Sequence, residues 1–141
     1  MYEDYTRQAL PSKEYRELLG SALVVFNSNN AFIIENILNS DDSNLYTWHE
    51  LIDYTSGELT SPIKRTITKN SNTNITNLFS DLIQKRNRIV HSFQITNPDG
   101  EQILATKDRD HKQFHVTKNY LLEFIKKNEE LSILLHDYRG Y

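Results

Sequence analysis

The stretch from Ile75 to Phe93 constrains this chain more than any other. Ile75, Phe79, Leu82, Ile89 and Phe93 recur at steps of three, four and seven residues, a spacing that gathers them on one face of a helix. Arg86 fills the gap in that stripe, four residues after Leu82 and three before Ile89. A permanent charge on an apolar face is costly unless something compensates it. Either an internal acid neutralises the guanidinium, with Glu35, Glu50, Asp53 and Glu123 as candidates, or the position serves a ligand.

The rest of the chain reads as a helical bundle built around that element. Pro11-Ser12 opens a long helix to about Leu38, roughly 40 Å if unbroken, with Tyr15, Leu18, Leu19, Ala22, Val25, Phe26, Phe32, Ile33 and Ile37 along one side. The polar tract Asn27-Ser28-Asn29-Asn30 is the point where it would bend or split. Thr47-Trp48-His49-Glu50 fits a capping box for a short helix ending near Gly57. Ser61-Pro62 reads as an N-cap and first-turn proline of another short helix through about Lys69.

The motif helix is expected from Asn74 to Phe93. Pro98-Asp99-Gly100 then marks a hairpin between 94–97 and 101–106, with a third short strand over 111–116. The last helix, Thr117 to about Asp137, carries Leu121, Phe124, Ile125, Leu131, Leu134, Leu135 and Tyr138 on one side. The expected fold class is mainly α: a four- or five-helix bundle with a small β-hairpin, 94–116, inserted before the last helix. Residues 1–141 form a single domain, with 1–11 a flexible N-terminal segment.

Six residues at the end of the motif helix carry the chemistry: Arg86-Asn87-Arg88-Ile89-Val90-His91. Asn87 stands four residues before His91, so the two side chains share a face, and the amide could fix the imidazole's orientation and tautomer. Spacing alone is weak, since Arg109 to His115 is a second loose match in the hairpin region. Helical context and the displaced core residue favour the first.

Arg-Asn-x-x-x-His near the end of a helix, within a small helical bundle, resembles the signature of the HEPN domains (higher eukaryotes and prokaryotes nucleotide-binding). Arg86, Asn87 and His91 match without a gap. The resemblance implies a metal-independent endoribonuclease, often a toxin or antiphage effector with an antitoxin or nucleotidyltransferase partner, acting as a homodimer. It equally covers non-catalytic modules that bind a partner protein or a nucleotide.

The implied catalytic set is Arg86, His91 and Asn87, with Lys85 and Arg88 as substrate-binding cations, and neither metal nor cofactor. The chemistry is self-consistent, because RNA brings its own nucleophile in the 2′-hydroxyl. A histidine moves the proton and an arginine holds the phosphate. Residues five apart on a helix diverge by roughly 140°, so two copies around a two-fold axis converge better on one phosphate than a single copy does.

A net charge of −3 argues against nucleic-acid binding through the overall field, so RNA contact requires a local patch. The absence of cysteine removes thiolate nucleophiles and thiolate metal sites. His111 and His115, beside Asp108 and Asp110, suggest exposed hairpin histidines sooner than a two-histidine metal site. Tyr120 and Tyr138 belong to the core or an interface. Four glycines without a phosphate-cradling loop exclude a dinucleotide fold. The N-terminus has no secretory pattern, and the longest apolar run, Ala22–Phe26, is too short for a bilayer, so a cytoplasmic protein is expected.

Overall fold

The computed structural model describes residues 2–140. Helix α1, Lys13–Ser40, begins where Ser12 Oγ accepts a hydrogen bond from the Tyr15 backbone N–H at 3.1 Å, and it runs without a break. The polar tract that threatened to split it is absorbed by tertiary contacts. Asn29 Nδ2 donates to the Asn128 carbonyl at 2.8 Å and to Asn128 Oδ1 at 3.1 Å, while Asn30 Oδ1 accepts from Ser56 Oγ at 2.6 Å. By length and composition alone α1 could cross a bilayer, although no uninterrupted apolar run suggested it. Here Tyr15, Phe26, Ile33 and Ile37 are buried within the bundle.

Helix α2, Trp48–Ile52, starts at the expected cap, with Thr47 Oγ1 accepting from the Glu50 N–H at 3.2 Å, but among the described residues the Glu50 carboxylate does not return the bond that a full capping box has. The next boundary differs from the sequence reading. Gly57 ends nothing: it opens a 3₁₀ turn, Gly57–Leu59, which passes into α3, Thr60–Ile63, and a π-helical turn, Lys64–Thr68. The cap is a reciprocal box between Thr55 and Glu58, upstream of Ser61-Pro62. The Thr55 N–H donates to Glu58 Oε1 at 2.8 Å, and the Glu58 N–H donates to Thr55 Oγ1 at 3.3 Å. Ser61 and Pro62 therefore lie inside the helical run. Thr66 Oγ1 donates to the Pro62 carbonyl at 2.7 Å, competing with the regular backbone ladder within the π turn.

Helix α4, Asn74–Val90, buries Ile75, Phe79, Leu82 and Ile89 as the stripe required. Phe93 leaves it: α4 stops at its C-cap residue His91, and Phe93 is an exposed residue of the first strand. Three antiparallel strands follow in sheet order, β1 Phe93–Thr96, β2 Gln102–Lys107 and β3 Gln113–Val116, so the expected hairpin is a small meander.

Its two turns are built alike. Asn97 Oδ1 accepts from the N–H groups of Asp99 and Glu101, with Gly100 left-handed at φ +80. Asp108 Oδ1 accepts from those of Asp110 and Lys112, with His111 left-handed at φ +62. His111 thus stands in a turn and His115 on a strand, so they do not form the two-histidine strand face considered from spacing.

Helix α5, Lys118–Arg139, is capped by Thr117 at its start and by left-handed Gly140 at its end. It packs along both α1 and α4. The Phe26 ring stacks with both Phe79 (centroids 5.9 Å apart) and Phe124 (6.1 Å), which joins α1, α4 and α5. Tyr15 fastens the sheet to this bundle. Its hydroxyl donates to the Val116 carbonyl at 2.5 Å and accepts from the Leu104 N–H at 3.1 Å, bridging the paired residues Leu104 and Val116. Burial pushes that phenol above its ordinary range.

The N-terminal segment expected to be loose is tied down. Arg16 donates to the Pro11 carbonyl, Tyr5 Oη and Glu3, and Gln94 Nε2 donates to the Ala9 carbonyl at 2.6 Å. Within that expected segment of 1–11, residue 1 lies outside the described residues.

Candidate active site and the adjoining cleft

Arg86 leaves α4 on its core-facing side and is half-buried. Its guanidinium carbon lies 4.8 Å from the Phe26 ring centroid, so the charge rests over the ring that also contacts Phe79 and Phe124. Such a cation–π contact is worth about 0.5–2 kcal/mol, less than the cost of fully desolvating the ion. Burial accordingly pulls its pKa below the ordinary arginine range, although an arginine stays charged at any working pH.

The internal-acid account fails. None of Glu35, Glu50, Asp53 or Glu123 pairs with Arg86: the first three are exposed, and Glu123 faces Lys126 at 3.8 Å. One hydrogen bond orients the group, from Arg86 Nε to Asn87 Oδ1 at 3.1 Å. Both terminal nitrogens have no hydrogen-bond partner among the described residues. The guanidinium is therefore held over an aromatic ring and by one amide at Nε, which leaves its two terminal nitrogens able to donate together to an anion.

Asn87 was expected to orient His91 and instead orients Arg86. The i,i+4 geometry permitted the imidazole contact, but the amide oxygen serves the neighbouring guanidinium. His91 is the C-cap residue of α4: its backbone N–H donates to the Asn87 carbonyl at 2.9 Å, and its exposed imidazole makes no hydrogen bond among the described residues. Val90 and Phe93 on either side of it are exposed, at 55% and 46%. Arg86 and His91 thus share the end of one helix without touching, as their angular separation requires.

Lys85 and Arg88 point elsewhere than Arg86. They line a cleft of about 220 Å³ between α4 and the β2–β3 turn, together with Gln84, Asn87, Arg109 and Phe114. The cleft also contains two carboxylates, both engaged. Asp81 pairs with Lys85 at 3.5 Å and Lys127 at 3.3 Å, and Asp108 caps its own turn. Arg88 Nη1 donates to the Lys107 carbonyl, fixing α4 to the hairpin.

Sequence reasoning missed this cleft because Arg109 and Phe114 lie far along the chain from the motif, beyond two strands. Only the second hairpin turn brings them alongside, and that turn has histidine where a glycine would have announced it. Asn87 is shared, lining the cleft while holding Arg86. Comparison with protein-family models, curated proteins and solved structures finds no match for this chain.

Proposed function

We propose that this chain is the protomer of a homodimeric endoribonuclease of the HEPN type, a toxin or phage-defence component in which Arg86 and His91 act on the phosphodiester. The reading rests on one observation: Arg86 is half-buried, aligned by Phe26 and Asn87, and presents two terminal nitrogens that have no hydrogen-bond partner among the described residues. A cation kept in a core stripe with its donors free is arranged for an incoming anion, and a phosphate accepts both donors at once.

The step needs little else. The RNA 2′-oxygen attacks the adjacent phosphorus as an imidazole removes its proton, and the bond from phosphorus to the 5′-oxygen breaks. A second imidazole protonates that leaving oxygen, and the products are a 2′,3′-cyclic phosphate and a free 5′-hydroxyl. Arg86 stabilises the charge that builds on the phosphoryl oxygens. One protomer supplies a single exposed His91 diverging from Arg86, so the acid and base come from two copies, with Val90 and Phe93 offering apolar contact beside the shared cleft.

A second reading has its own support. Among the described residues the His91 imidazole has no hydrogen bond to set its tautomer, which suits a non-catalytic module that binds a partner protein or a nucleotide through Arg86. Incubating purified dimer with structured RNA in EDTA separates the two. The nuclease reading expects cutting that Arg86→Ala and His91→Ala both abolish, with cyclic-phosphate ends on the product. A folded dimer that leaves RNA intact, or cutting equal in all three proteins, overturns it.

A further inference from the structure

The cleft beside the motif has the contents of a nucleotide subsite. Three cations, Lys85, Arg88 and Arg109, line it against two carboxylates, so it is locally positive on an acidic chain; Asp81 pairs with two lysines, and Asp108 accepts from two backbone N–H groups of its own turn. Arg109 on that turn has no hydrogen bond or ion pair among the described residues. Phe114 is half-buried, with Tyr120 packed against it at 5.7 Å between centroids and a 47° tilt, so the ring is supported from inside the molecule.

Two amides complete the walls. The Gln84 side chain makes no hydrogen bond among the described residues, and there Asn87 commits its side-chain oxygen to Arg86 while its Nδ2 has no partner. Aromatic face, amide donors and acceptors, and cations are the three elements by which proteins take single-stranded RNA: stacking, base-edge hydrogen bonds and phosphate contacts. Size narrows the ligand further. At about 220 Å³ the cleft falls below the range of roughly 300–1,000 Å³ that encloses a whole drug-sized ligand, and suits one base with its phosphate at the rim.

We infer that this cleft seats one unstacked nucleotide of single-stranded RNA next to the scissile phosphate. The base lies against Phe114, Gln84 and Asn87 read its edge, and Arg88 and Arg109 hold its phosphate. The inference rests on the ribonuclease reading for the position of the scissile bond. Asn87 is the link, since the amide at the cleft wall also aligns the guanidinium that would hold the phosphate.

The test reads binding without cutting. A fluorescein-labelled hexamer of 2′-O-methyl RNA carries no free 2′-hydroxyl, so its affinity follows from anisotropy in EDTA, whatever the nuclease activity. Phe114→Leu, which keeps the charge, and Arg109→Gln, on an exposed turn, should each weaken binding roughly tenfold. Lys64→Gln, which removes a charge outside the cleft, should change it less than about twofold. The same sequence as a duplex should bind at least roughly tenfold more weakly, because its bases cannot splay.

Unchanged affinity in Arg109→Gln and in a folded Phe114→Leu, equal affinity for the duplex, or no binding by the wild type overturns the inference. If Phe114→Leu does not fold, Arg109→Gln decides. Cutting that needs Arg86 and His91 beside binding that ignores the cleft variants rejects the subsite and leaves the nuclease standing. Binding that needs the cleft in a protein that cuts nothing does the reverse.

Discussion

At the scale of single residues, Arg86 sets stability against function. A methionine there would complete the stripe of Ile75, Phe79, Leu82 and Ile89 and could pack on Phe26 as a thioether on an aromatic ring. The cation–π contact would be lost, but so would the penalty of a half-desolvated charge without a counter-ion, and the second term is larger. Arg86→Met is therefore expected to stabilise the fold by about 1 kcal/mol, or roughly 3–4 °C in Tm, while abolishing RNA cleavage. Differential scanning calorimetry beside the EDTA cleavage assay reads both. A clear loss of stability would mean that the guanidinium is structural.

The anomaly itself was legible, because the helical period alone puts position 86 on the buried side. The partner of Asn87 was not. Spacing rules rank His91 first, whereas the arginine's Nε reaches an adjacent side chain that no i,i+4 rule considers. His111 was illegible for a similar reason: the left-handed φ of +62 repeats what Gly100 does in the first turn, and the sequence signals only the glycine.

At the scale of elements, the buried Asn29–Asn128 pair decides how α1 and α5 register. Both side chains are nearly inaccessible, and Asn128 Nδ2 also donates to the Phe124 carbonyl at 2.9 Å, so the pair forms a short satisfied chain inside an apolar seam. Replacing one partner strands the other. Asn29→Leu should cost about 1–3 kcal/mol by leaving the Asn128 side-chain oxygen buried and unbonded, and adding Asn128→Leu should recover most of that loss. Urea denaturation of the two single variants and the double gives the coupling directly. Additive losses would show that the pair is incidental.

The sequence displayed these asparagines as a polar interruption, since a pattern of apolar steps cannot say that two polar gaps on distant helices face each other. The hidden start of the helical run at Thr55 has a related cause. Ser61-Pro62 is the louder local signal, and the reciprocal Thr55–Glu58 hydrogen bonds that win satisfy two backbone N–H groups at once. By contrast, Pro98-Asp99-Gly100 and the Thr47 cap were readable because each depends only on its immediate neighbours.

At the scale of the molecule, the question is whether one protomer can be a complete catalyst. Arg86 lies on the core-facing side of α4 with its guanidinium over the Phe26 ring, while His91 terminates the helix in solvent. The angle between them is a property of the helix and no rotamer removes it, so a site using both is built most simply across a two-fold axis at the end of α4. Subunit mixing tests that arrangement. Co-refolding wild type with an equal amount of His91→Ala makes roughly half of the random dimers mixed, and each mixed dimer lacks one of the two imidazoles that the shared cleft needs. Cleavage per wild-type protomer should therefore fall to roughly half of that of wild type alone, and it should follow the wild-type homodimer fraction counted by native mass spectrometry. If each protomer instead housed its own arginine–histidine pair, every wild-type protomer would keep a complete site, and cleavage per wild-type protomer would not change.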